Sequence, residues 1–256
     1  MSDLSEHCLS RVLALQVRLY ACQARLADCT DSEALHDLRI ALRQLRSLLR
    51  PLRGLPGVDA LEQGAAVLGR LSGSLRDREV LLAELTGREL PHPLPLDAPS
   101  RAAGYAMLAT SRELMDVLHL LDRWPASWRE AARQGLLSDL GRRIRRRLRR
   151  QQRQLAEALR DPAHDRHRLR LLIKRVRYAA ETYPQHSGLS KAAQLRLKRA
   201  QSALGDWHDH LQWLAQTEAS EALQSCRAAW LQAQWAAEQR ADDALLALYG
   251  DFPKAK

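Results

Sequence analysis

Leucines and alanines recur every third or fourth residue through most of the 256-residue chain. That spacing is the signature of helices with one apolar face. No stretch alternates apolar and polar residues with a period of two, so the chain is expected to be all-α. Prolines and glycines fall in a few clusters and divide the pattern into eight predicted helices, in two sets of four. In the first set, one helix covers 4–27. A second opens at Thr30 and Glu33, spaced as a capping box, and fades near Pro51. The third covers 58–86 and the fourth 101–121, with the proline-rich segment 86–100 between them as a loop. The second set opens on a helix over 126–159 with Pro125 near its N-terminus. Asp161 as N-cap and Pro162 in the first turn start the next helix, which ends near "TYPQHSG". The last two are expected over 189–215, with a bend at Gly205, and over 219–248.

The two sets repeat a pattern. "LHDLRIALRQLR" at 35–46 lies over "RHRLRLLIKRVR" at 166–177, and "GSLRD" at 73–77 over "GDWHD" at 205–209. The two landmarks are separated by nearly equal lengths of chain in each half. This register predicts an internal duplication of a four-helix unit, with one repeat over 1–122 and the other over 123–256.

Charge changes the picture most. Lys and Arg number 40 against 30 Asp and Glu, for a formal charge of +10. From Arg142 to Arg177 there are fourteen arginines and one lysine against three carboxylates, so this segment alone carries +12 and the rest of the chain −2. At 100° per residue, His36, Arg39, Arg43, Arg46 and Arg50 share a stripe about 80° wide beside the leucine face of their helix. His167, Arg170, Lys174 and Arg177 make the corresponding stripe in the second half. Glu181, one turn beyond Arg177, is spaced to hold that guanidinium. A third stripe, Arg142, Arg146, Arg149 and Arg153, runs along the preceding helix. Like charges one turn apart repel by a few tenths of a kcal/mol per pair, roughly, so the rows cost stability unless anions neutralise them. Guanidinium groups bind phosphate oxygens through two parallel hydrogen bonds, which makes a polyanion the fitting partner.

The motifs "HDLRIALRQLR", "LRDREV", "HRLRLLIKRVRYAAE" and "LKRAQSALGDWHDHL", in this order and spacing, resemble the CHAD family, the conserved histidine α-helical domain. The resemblance covers essentially the whole chain as a single domain. It implies two antiparallel four-helix bundles related by a pseudo-two-fold axis. It also implies that inorganic polyphosphate binds in a basic cleft between them, in some relatives at polyphosphate granules. Carried over by position, the binding residues are His36, Arg39, Arg43 and Arg46 in one half and His167, Arg170, Lys174 and Arg177 in the other. Tyr178 and Glu181 match a supporting "RYxxE" element. Asp77 and Asp209 match a further element that here departs from the family pattern, reading "RDREV" in one copy and "HDHL" in the other.

Two other functions compete. The pairs His36-Asp37, His164-Asp165 and His208-Asp209 echo those of all-helical metal phosphohydrolases, but adjacent helical residues point 100° apart, and cationic surroundings disfavour a metal ion. No metal, cofactor or catalytic residue is expected. A nucleic-acid binder would use the same charge, yet 142–177 holds no Phe, Trp or Tyr on which a base could stack. The six tryptophans lie outside the basic rows and are expected to pack in the second bundle. His7, His92, His119, His186 and His210 follow no pattern. Cys8, Cys22, Cys29 and Cys226 lack metal-ligand spacing and read as reduced thiols, the first three on one helix face. The N-terminus does not read as a secretory signal, and no apolar run approaches the ~20 residues of a membrane span. A cytoplasmic protein is therefore expected. If His36 and His167 touch phosphate, affinity for polyphosphate should rise as pH falls from 8 to 6, because an imidazolium binds an anion better than an imidazole. Titrations at the two pH values check this, and a flat profile would make both histidines structural.

Overall fold

The structure, a computed structural model, describes residues 3–87 and 98–253. Among these residues the regular structure is all helical, without a strand. Its helices are α1 (Asp3–Ala27), α2 (Ala34–Leu49), α3 (Val58–Leu71), α4 (Gly73–Gly87), α5 (Ala98–Ala109), α6 (Arg112–Arg133), α7 (Leu140–Leu159), α8 (Arg166–Thr182), α9 (Pro184–Ser187), α10 (Lys191–Ala219) and α11 (Arg227–Leu246). The loop expected over 86–100, with His92, lies largely outside the described residues. No described helix is long and apolar enough to cross a membrane. The chain divides into two compact units, Met1–Ile144 and Arg145–Lys256.

In the first unit α1, α2, α3 and α6 form an antiparallel four-helix bundle. Each packs on the next, and α6 closes back on α1. Side-chain contacts fix the directions. Trp128 Nε1 donates to the carbonyl of Ser5 at 3.1 Å, while Tyr20 Oη donates to Asp122 and Gln23 Nε2 to the Ala109 carbonyl. Residue numbers rise on α1 as they fall on α6. Likewise Arg39 reaches Gly69 while Arg46 and Arg50 reach Glu62, so α2 and α3 are antiparallel. The apolar positions that set the pattern are the ones buried: Val12, Leu15 and Leu19 on α1, Leu35, Leu38, Leu42, Leu45 and Leu49 on α2, and Leu114, Val117, Leu118 and Leu121 on α6.

Several boundaries differ from those read in the sequence. The third expected helix is two, broken at the buried Ser72. The fourth is also two, because Ser111 caps a new helix by accepting from the Leu114 N–H. That helix, α6, runs straight through residue 122 and through Pro125, the expected start of the second set. Its apolar period continues across the proline, and Trp124 and Trp128 stack at 4.7 Å between ring centres. Both tryptophans therefore belong to the first unit, not to the second bundle. Gly57 shows why that end is tight. Its φ is +74°, and an added Cβ would sit 3.3 Å from the Trp124 ring. The second helix opens without a capping box. Asp31 instead accepts from the Glu33 N–H.

In the second unit α7, α8, α10 and α11 share one core, built from Leu155, Leu159, Leu169, Ile173, Val176, Leu197, Leu204, Leu245 and Phe252 among others. α10 continues through Gly205 as one helix and pairs antiparallel with α11, where Trp213 and Trp230 lie 5.7 Å apart. Arg196 and Asp251 join the far ends with two 2.5 Å bonds. Trp235, by contrast, is 66% exposed.

The N-cap of α8 is Asp165, whose Oδ1 accepts from the Arg168 N–H at 3.0 Å. Asp161, the residue expected in that role, holds the preceding turn through the Ala163 N–H. Asp165→Ala should therefore cost about 1 kcal/mol, read as a fall of about 2–4 °C in thermal midpoint.

Candidate functional site: two cationic helix rows

Row one runs along α2 to Arg50, the residue that caps its C-terminus, with every member half-buried. The apolar face of the helix packs the core, so the neighbouring stripe sits at its margin, where a guanidinium loses much of its water. Arg39 is drawn inward. Its Nη1 donates to the Gly69 carbonyl at 3.0 Å and to Ser72 Oγ at 3.1 Å. These are acceptors that the break between α3 and α4 makes available. Burial pulls its pKa below the ordinary arginine value; Asp77 opposes that effect, and Arg76 and Arg43 add to it. Arg46 and Arg50 each donate through Nε to Glu62 Oε1 at 3.3 Å, and Arg53 donates to Glu62 Oε2 through Nε and Nη2. Glu62 is 1% exposed. Burial pushes its pKa up, but the three arginines outweigh that and the net shift is down. His36 heads the row. Its neighbour Asp37 is held by Arg18 at 2.9 Å and Arg25 at 2.7 Å, and Arg25 also forks onto Asp31. That engagement takes this carboxylate away from a metal-binding pair.

Row two lies on α8. Arg177 is well enclosed, its side chain 14% exposed. Its Nε donates to Gln201 Oε1 at 2.7 Å, its Nη1 to Glu181, and its guanidinium carbon lies 4.3 Å from the Tyr178 ring centre. Gln201 Nε2 in turn donates to Tyr178 Oη at 3.1 Å. The i,i+4 contact between Arg177 and Glu181 is the one their spacing predicts. At the other end the His167 ring lies 5.6 Å from that of His208 on α10. Burial first, and then the charges of Arg170, His167 and Lys174, together lower the pKa of His208 to about 4. Of the other His-Asp pairs, His164 lies 3.5 Å from Asp242 of α11, while Asp165 is spent on the cap. Asp77 is exposed and Asp209 half-buried.

The α7 stripe is different in kind. Arg142, Arg146, Arg149 and Arg153 are exposed on the face opposite Leu148 and Leu155. Arg142 pairs with Asp139 at 3.4 Å. The other three make no ion pair with another described residue.

The sequence reading missed Glu62, Arg53, Arg76 and Gln201, and weighed His208 only as half of a His-Asp pair. Glu62 was legible. It stands at a core-facing position of α3, between Val58 and Ala65, where a charge needs a reason. Arg76 and His208 occupy equivalent places in "GSLRD" and "GDWHD", and each is placed electrostatically beside the matching arginine of its row, Arg39 or Arg170. Gln201 gave no signal, because its contact depends on how α10 packs on α8.

These features define a class: all-helical domains that carry basic rows along the margins of their cores. The family model for the CHAD domain matches residues 11–218, and the chain belongs to that family. Among solved structures, the crystal structure of the CHAD domain from the plant Ricinus communis is similar over 100% of this chain and 93% of that one. It is 24% identical, with a TM-score of 0.68. That likeness concerns the fold. No curated protein matches the chain.

Glu62 holds three guanidiniums, so Glu62→Gln should cost about 1–3 kcal/mol by leaving them without a charged acceptor. Its depressed pKa gives the sign. The contribution is present above the ordinary glutamate value of 4.5 and is lost as pH falls through the lower folded value. Denaturant melts of wild type and variant should therefore differ at pH 7 and converge in acid.

Proposed function

We propose that the protein binds inorganic polyphosphate through the rows on α2 and α8, as a binding protein without turnover. The observation that carries this reading is the local excess of cations over carboxylates. One buried carboxylate, Glu62, serves three guanidiniums. In row two the cations are dense enough to help hold a neighbouring histidine neutral. Such a surface is stabilised by an external anion. The arginines at the C-terminal ends of the rows are held in place, so little side-chain entropy is lost when phosphate oxygens meet them. A linear polyanion fits rows of cations one helical turn apart better than a compact anion does. The exposed arginines of α7 add long-range attraction. Membership of the CHAD family supports the reading. The paired landmarks at 36–77 and 167–209 support an internal duplication of the four-helix unit, each copy bringing one row. A cytoplasmic role at polyphosphate granules follows from the same proposal.

Binding to nucleic-acid backbones would use the same charges, and competition separates the two. Polyphosphate should displace duplex DNA at matched phosphate concentration, and DNA should fail to displace polyphosphate. Affinity should fall log-linearly with salt. The double substitution Arg43→Gln, Lys174→Gln should lower that slope by about one for each phosphate no longer engaged. It spares Arg39, which is tied into the α3–α4 break. An unchanged slope, or DNA winning the competition, would overturn the proposal.

A further inference from the structure

The end of row two holds a group that the binding reading leaves unused. His208 projects from α10 toward α8, with its ring 5.6 Å from His167 and tilted by 51°. Its Nδ1 is buried and finds no hydrogen-bond partner among the described residues. A buried polar atom without a partner is costly, and one that a folded protein keeps calls for a physical reason. The groups around it are almost all cationic. From α8 come His167, Arg170 and Lys174. On its own helix, Asp206 reaches away to Arg240 of α11 at 3.8 Å, and the carbonyl of Asp206 lies 2.7 Å from His210 Nδ1. Asp209 adjoins it in sequence. The other α11 carboxylates nearby, Glu238 and Asp242, are held by Arg166. The positive charges of α8 that face the imidazole therefore oppose an added proton.

We propose that His167 and His208 form a proton-coupled phosphate subsite at the N-terminal end of the α8 row, which takes up a proton as polyphosphate binds. This rests on the polyphosphate reading above. The physical cause is a change of sign in the local field. A bound phosphate neutralises Arg170 and Lys174, so the imidazolium form of His208 changes from repelled to attracted. In the free protein His208 stays neutral down to about pH 4. In the complex its proton affinity returns toward that of an ordinary histidine, 6.5. Uptake is then greatest between these values and fades by pH 8. By linkage, affinity rises as pH falls through that window, by at most about tenfold per pH unit for one proton. The Arg76 position of row one is permanently charged, so the same coupling is absent there.

The test is calorimetric titration of the full chain with long-chain polyphosphate, whose end groups are few, at pH 5.5 and pH 8. Buffers of differing ionisation enthalpy report the protons taken up. The expected result is uptake at pH 5.5 that falls by up to one proton per chain in His208→Gln and is unchanged in His119→Gln, an exposed histidine on α6. Uptake that is absent, or unchanged in His208→Gln, overturns the subsite while leaving polyphosphate binding intact. No binding at either pH overturns both. If His208→Gln fails to fold, the wild-type profile decides. Uptake equal at pH 5.5 and pH 8 excludes His208 as its source.

Discussion

A guanidinium at the edge of an apolar core must find oxygen atoms to replace the water it has lost. That constraint organises both rows. On α2 the oxygens come from Glu62, from the Gly69 carbonyl and from Ser72. On α8 they come from Gln201 and Glu181, with the Tyr178 ring covering one face of the guanidinium. The oxygens come from α3, from the turn after it, from α10 and from α8 itself, so the held arginines of each stripe are tied into their own unit. The break at Ser72 belongs to this set. Ending α3 there presents the acceptors that Arg39 uses, whereas an unbroken helix would have spent the Gly69 carbonyl internally.

The same constraint separates the rows from the α7 stripe. The row arginines of α2 and α8 are half-buried and shaped by neighbours, which favours a defined geometry toward phosphate. Those at 146, 149 and 153 stand in solvent and keep their rotamer freedom. In the proposed binding mode they would draw a polyanion in from a distance, and holding it would cost them more ordering. Row two also has a member that row one lacks. A histidine fills the place of Arg76, and a histidine can exchange its charge with solvent where an arginine cannot.

Where the sequence reading of the fold went astray, the cause was punctuation. Pro125 reads equally as the first turn of a helix or as its interior. The period through Leu121, Trp124 and Trp128 decides for the interior, because those side chains have a core to bury against. Asp161 and Asp165 are both plausible caps, and a turn in which His164 takes a positive φ of 44° selects the second. Glu62 was visible as a charge in an apolar stripe. The interplay of Arg177, Gln201 and Tyr178, and the meeting of His167 with His208, depend on the pairing of α8 with α10, helices separated in sequence by α9 and its flanking turns.

The sequence by itself determined the all-α class, the apolar faces, the two cationic rows in matching register and the family, because helical periodicity and charge are local and recur within a turn or two. Tertiary structure alone decided which cations are drawn into the margin of the core and which stand exposed. It also decided where helices break, and it placed one histidine among positive charges. Those outcomes depend on the distance between side chains on different helices, and on how much water each loses when the helices meet.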